Sequence, residues 1–185
     1  MNPKLIVRTS KFLSYVLRHS PQSIGITLDS EGWTDIDQLI LKAGEDGTML
    51  SRELLKVVVE TNEKKRFTIR DNMIRAAQGH SSAAVDIQHV ALKPPDFLYH
   101  GTATRFMCSI LEQGLTKQQR QHVHLSEDHV TAIGVGRRYG EVVLLNIDAA
   151  SMYEEGHLFY QADNGVWLTD HVPAQFLTRS TMEIK

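Results

Sequence analysis

Apolar residues near the start of the chain recur at helical spacing. Phe12, Val16 and His19 form one stripe, Leu13 and Leu17 widen it, and Ser10 stands where a cap would precede them. The stretch "SIGITLDSEGW" reads as a short strand running into a turn. Thr34 and Asp37 have the spacing of a capping box and predict a helix through Ile36, Leu39, Ile40 and Ala43 as far as Gly44. Ser51 opens a third helix over "SRELLKVVVETN". "RFTIR", a "DN" turn and "MIRAAQ" then predict a hairpin, with Arg66, Thr68 and Arg70 on one face and Phe67 and Ile69 on the other.

From about Ser81 to Asp96 the pattern weakens, and "KPPD" stiffens the chain against a helix. Beyond it "FLYHG" predicts a strand, "TRFMCSILEQG" an amphipathic helix ending at Gly114, and "HVHLS" another strand. "HVTAIGVGRRYG" predicts a helix with loose glycines, and "EVVLLNID" a buried strand. "HLFYQ", "GVWLT" and the "LTRSTMEI" tail read as further strands. The expected architecture is α+β in two lobes. Residues 1–82 carry three helices and a two-stranded wing, the order of a winged-helix module; 83–96 form a linker; 97–185 form a sheet-rich lobe.

Composition narrows the function. At 185 residues, 42% hydrophobic and 23% charged, the chain is ordinary globular protein with room for one large core or two small ones. A net charge of -2 argues against coating nucleic acid by bulk electrostatics. A partner carrying one or two phosphates stays open, provided that basic groups converge locally. The lone Cys108 excludes an internal disulfide framework and a Cys-rich zinc site. "MNPKLIVRTSK" is too short an apolar run for a signal peptide, and no segment approaches membrane-spanning length. The expectation is a soluble, cytoplasmic monomer with no membrane partner.

Several polar clusters could carry chemistry. In "KQQRQHVHLSED", alternation puts Arg120, His122, His124 and Ser126 on one face of a strand and Gln121, Val123 and Leu125 on the other, which is only weakly apolar. An edge strand with a wet face explains the pattern equally well. A metal at His122 and His124 needs a third ligand that no HExxH motif or cysteine pair supplies. In "FLYHGT", His100 ends a strand, and Gly101 and Thr102 make the step into a helix whose free N–H groups would favour an anion. "GVGRRYG" has the wrong spacing and follows a helix, so it is not a dinucleotide fingerprint. Lys64, Lys65, Arg66, Arg70 and Arg75 gather on the hairpin, either as a solvated face or as a phosphate clamp. "QGHS" adds small and polar residues that no core needs, and the Arg18–His19 pair at a helix exit could be no more than a cap.

Taken in order, "LSYVLRHSP", "EGW", "KKRF", "IRAAQGHS", "YHGT", "RQHVHLS" and "GVWLT" resemble the KptA-type RNA 2'-phosphotransferases across nearly the whole chain. The resemblance implies a winged-helix-like N-terminal lobe and a C-terminal lobe of ADP-ribosyltransferase type. It implies an enzyme of tRNA splice-junction type that removes an internal 2'-phosphate from RNA through an ADP-ribosylated RNA. NAD⁺ is the co-substrate, no metal is needed, and nicotinamide and ADP-ribose 1″,2″-cyclic phosphate are released. The family's catalytic arginine–histidine–arginine–arginine set falls on Arg18, His19, Arg66 and Arg120. His100, Gly101 and Thr102 match its NAD-side strand, with His124 and Ser126 as further cofactor-side groups. The catalytic set would then meet at a seam between the lobes. The alternatives are an ADP-ribosyltransferase that leaves ADP-ribose on a nucleic-acid phosphate or a protein, and a non-catalytic winged-helix nucleic-acid-binding protein.

Overall fold

The computed structural model describes residues 2–81, 85, 87 and 89–182, in a mixed α+β fold. Two units, Met1–Gln88 and His89–Lys185, each have a core of their own.

In the first unit, helix α1 (Pro3–Arg18) begins well before the apolar stripe. Asn2 caps it by accepting the Lys4 N–H at 2.9 Å, and Pro3 sits in the first turn, where no N–H is required. Ser10, expected as a cap, lies mid-helix. Leu13, Val16 and Leu17 are fully buried, whereas His19 leaves the stripe, is exposed and forms the C-cap. The strand expected after Pro21 is absent among the described residues: Pro21–Ser23 make a 3₁₀ turn. Gly25 then takes a φ of 74°, so the buried Ile24 and Ile26 reach the core from a turn and not from a pleat.

Strand β1 (Thr34–Asp35) runs straight into helix α2 (Ile36–Glu45). Asp35, not Thr34, is the cap: its Oδ1 accepts the Gln38 N–H at 2.9 Å, a contact that draws its carboxyl below the ordinary range. Thr34 pairs with Ile74 instead. Helix α3 (Arg52–Glu60) is capped by Ser51, as its position predicts. Strands β2 (Phe67–Arg70) and β3 (Met73–Ala76) form the expected hairpin, and β1 extends it to an antiparallel sheet of order β1-β3-β2. One face of this sheet, with Phe67, Ile74 and Ala76, packs with the helices through Leu13, Leu17, Leu39, Leu55 and Val58.

In the second unit, β4 (Phe97–Ala103) outruns "FLYHG" and precedes a 3₁₀ turn and α4 (Met107–Gln113). Then come β5 (Leu115–Thr116), β6 (Val123–Leu125), α5 (His129–Gly136), β7 (Val142–Asp148) and α6 (Ala149–Glu154). The remaining strands are β8 (Tyr160–Gln161), β9 (Trp167–Thr169), β10 (His171–Val172) and β11 (Leu177–Arg179). Antiparallel pairing gives the orders β11-β7-β4, β6-β9-β8 and β10-β5. A bridge between Tyr99 and Ser126 links β4 to the chain just after β6. Leu98, Leu125, Leu145, Ile147, Met152 and Phe159 fill the core.

Within the expected linker, residues 83, 84, 86 and 88 lie outside the described residues, as does Ser82 before it; Ala91 bridges Tyr160, and the Leu92 N–H donates to the Phe159 carbonyl at 2.8 Å. The tail strand ends at Arg179, and 183–185 are likewise outside the described residues.

The step from strand to helix expected at Gly101 and Thr102 does not exist. Both residues belong to β4, and α5 lies on them so closely that a Cβ on Gly101 would overlap the Ala132 carbonyl oxygen. From the other side, a Cβ on Gly136 would stand 2.8 Å from the Thr102 carbonyl oxygen and 2.7 Å from Val142 Cγ2. These two glycines permit helix and strand backbones to touch.

Candidate active site

A groove of about 530 Å³ runs along α1 in the first unit. Ser10, Ser14, Tyr15 and His19 line one side, and Asn62, Lys64 and Arg66, from the loop between α3 and β2, line the other. That loop turns through Lys65, whose φ of 40° is left-handed, and it carries Arg66 to the groove just before β2 begins. Asn62 sets the position. Its Oδ1 accepts from Arg66 Nη1 at 3.3 Å, and its Nδ2 donates to Ser10 Oγ at 3.2 Å, fastening the loop to α1. No local pattern announces this role, because an asparagine after a helix is ordinarily a terminator.

The Arg18–His19 pair at the end of α1 separates. His19 faces the groove, whereas Arg18 does not line it and has Nε and Nη2 shielded from solvent. "QGHS" proves structural as well as polar. His80 is 1% exposed, so a core does need it, and Ser81 bonds back to the end of α1. The hairpin arginines divide too: Arg66 turns to the groove, but Arg70 and Arg75 stack on Trp33 with their guanidinium carbons 4.7 and 4.6 Å from its ring centre.

In the second unit the alternation across β6 holds for Val123 to Ser126. Val123 and Leu125 enter the core, which corrects the reading of that face as weakly apolar, while His122, His124 and Ser126 are half-buried on the other side. Arg120 lies in the turn before the strand, and its Nη1 donates to His124 Nδ1 at 2.7 Å. Since a guanidinium only donates, His124 accepts at Nδ1 and carries its proton on Nε2. The His124 carbonyl accepts from His100 Nδ1 at 3.0 Å, which leaves His100 Nε2 as the ring's acceptor when neutral. His122 turns aside to pack edge-on against Tyr160 and His89, with ring centres 5.6 and 6.3 Å apart. Gly101 and Thr102 are buried beside His100.

Withdrawal from water pushes the His100 pKa down; the Arg120 charge adds to this, and the bond to the His124 carbonyl opposes it. The sign of the pH dependence follows. An unfolded chain takes up this proton near the ordinary value of 6.5, a folded one only at lower pH. Stability is therefore full above 6.5 and falls as pH drops from 6.5 toward the lowered folded-state value. His100→Gln keeps a donor for the carbonyl and cannot titrate. Urea unfolding at pH values on either side of 6.5 should show a smaller loss of stability in this variant than in the parent. An unchanged difference would contradict the assignment of that loss to His100.

Arg120, His124 and Ser126 thus offer N–H and O–H donors with no carboxylate among them, fit for an anionic group, and His100 adds an acceptor at Nε2. Among the described residues, no group of three or more His, Cys, Asp or Glu side chains could hold a metal ion, and no helix is long and apolar enough to cross a membrane.

A model of the RNA 2'-phosphotransferase, Tpt1 / KptA family matches residues 4–171. A Pseudomonas fluorescens protein named "Probable RNA 2'-phosphotransferase" is 59% identical over 179 residues, covering 96% of this chain and 98% of the relative. Proteins of the same name from Pseudomonas syringae pv. tomato and Pectobacterium atrosepticum are 55% identical over 181 residues and 56% over 170. They cover 97% of each chain in the first case, and 91% of this chain and 94% of the relative in the second. The chain belongs to the RNA 2'-phosphotransferase, Tpt1 / KptA family.

Proposed function

We propose that the chain is an NAD⁺-dependent RNA 2'-phosphotransferase. It transfers an internal 2'-phosphate of RNA, of the kind left at a tRNA splice junction, to the ADP-ribosyl group of NAD⁺. Family membership supports the activity and the co-substrate. Three helices with a hairpin support a winged-helix-like first unit, and the antiparallel sheets carrying His100 and His124 support an ADP-ribosyltransferase-like second one. The observation that carries the reading is the groove where His19 and Arg66, far apart in sequence, face a common space.

The chemistry suits these residues. A phosphate monoester is already an anion near neutral pH and needs positioning more than deprotonation. Its oxygen bonds to the ribosyl carbon that holds nicotinamide, and the carbon–nitrogen bond breaks with its electron pair leaving on nicotinamide. The adjacent ribosyl hydroxyl then attacks phosphorus and gives up its proton, the bond to the RNA 2'-oxygen breaks, and that oxygen takes a proton. Arg18, Arg66 and Arg120 are assigned to the phosphate, whose oxygens gain charge in this second step, and guanidinium forks stabilise such charge without giving up protons. His19 is assigned to the proton or to a hydrogen bond to phosphate.

On the NAD⁺ side, His100 Nε2 offers an acceptor to a ribose hydroxyl, and His124 and Ser126 offer donors. Gly101 and Thr102 belong to the same NAD-side strand, and their burial under α5 holds that strand in place.

Incubation with NAD⁺ and a short RNA bearing one internal 2'-phosphate should yield a free 2'-hydroxyl and ADP-ribose 1″,2″-cyclic phosphate. A stable ADP-ribosyl adduct as the end product would instead mark an enzyme that stops after the first step.

A further inference from the structure

We infer that Ser81 is a positioning residue for His19, one that fixes which ring nitrogen handles the proton. The inference rests on the assignment of His19 to phosphate transfer. Ser81 lies 62 residues beyond His19, and its Oγ stands 2.8 Å from His19 Nδ1. The same hydroxyl donates to the Arg18 carbonyl at 3.4 Å, and the Ser81 N–H donates to that carbonyl at 3.0 Å. Two contacts to one carbonyl hold the serine at the C-terminus of α1, where carbonyls lack partners within the helix.

A serine hydroxyl has one proton. With that proton directed to the Arg18 carbonyl, Oγ is an acceptor toward His19, and Nδ1 must carry a hydrogen. This holds whether the imidazole is neutral or protonated, since Nδ1 donates in both forms. The proton that His19 gives or takes during reaction is therefore the one on Nε2, and the bond to Ser81 survives the transfer. His19 is the exposed C-cap residue of α1, and the bond to Ser81 favours the tautomer with the hydrogen on Nδ1. Ser81 also grips the carbonyl of Arg18, so one side chain sets the register of both members of the pair.

Ser81→Ala should lower kcat for 2'-phosphate removal roughly tenfold, about what one neutral hydrogen bond and a lost tautomer preference are worth, with KM for the RNA unchanged. Ser81→Thr, which retains the hydroxyl, should recover most of the rate. Because the proton belongs to the second step, nicotinamide release in a single turnover should stay near the parent rate while the ADP-ribosylated RNA persists longer. His19→Ala is measured beside them. If His19→Ala is inactive but Ser81→Ala is indistinguishable from the parent, the inference is overturned and the assignment of His19 stands. If Ser81→Ala loses activity through a higher KM or a lower Tm, and threonine does not restore it, the role is structural and the inference again fails. Full activity in His19→Ala would remove the assignment itself, and the inference with it.

Discussion

Arg66→Ala and Arg120→Ala are each expected to lower turnover of a 2'-phosphorylated RNA by about 10²- to 10³-fold, the usual cost of deleting one fixed donor from a site where charge develops. Folding should be little affected. Arg120 is exposed in a turn, and Arg66 lies in a loop on a groove wall, so truncation of either opens no cavity in a core. The loss should fall on the second step, leaving ADP-ribosylated RNA to accumulate in a gel assay. Lysine at either position restores charge but not the planar fork, and only part of the rate should return. Arg18→Ala belongs to the same series with one difference: its guanidinium is shielded from water, so some loss of stability should accompany the loss of rate. Parent-like turnover in Arg66→Ala or Arg120→Ala would contradict the phosphate assignment.

The second large effect concerns stability alone. Gly101→Ala should destabilise the second unit by about 3 kcal/mol or more, at or above the upper end for overpacking a core. The added methyl group would fall on the Ala132 carbonyl oxygen, which is backbone and cannot swing aside, so α5 must lift from β4. That movement would also disturb His100, the next residue along the strand. Gly134, two residues beyond Ala132 in α5, is the control: nothing lies within 4 Å of its added Cβ. Gly134→Ala should therefore stabilise the helix, by roughly 0.5–1 kcal/mol. Chemical unfolding followed by circular dichroism separates the two, and equal stability of both variants would show that the helix–strand contact is not as close as described.

These cases show what the residues disclose before folding. Patterns with a short period were legible: the alternation of Val123, His124, Leu125 and Ser126, the hairpin over residues 67–76, and the Ser51 cap each depend on neighbours a few positions apart. Errors arose where the deciding partner was distant. The apolar periodicity carried His19 into the buried stripe, but the helix ends there and its ring meets Ser81. Thr34 looked like a cap because its pairing with Ile74 could not be seen. Gly101 looked like a ligand-facing step, since nothing local announces that Gly136 and Ala132 approach it. Arg66, Arg70 and Arg75 looked equivalent, and only the fold shows two of them stacked on Trp33.

No spacing rule joins Arg18, His19, Arg66 and Arg120; ordered motifs shared with a family did so. Asn62 and Ser81, which hold Arg66 and His19 in place, emerged as supports only from side-chain geometry.

The most direct measurement is nicotinamide release from NAD⁺ in the presence of two RNAs identical except for one 2'-phosphate. Release is expected only with the phosphorylated RNA, one nicotinamide for each 2'-phosphate lost. Release at the same rate with either RNA, or 2'-phosphate loss without NAD⁺, would contradict it.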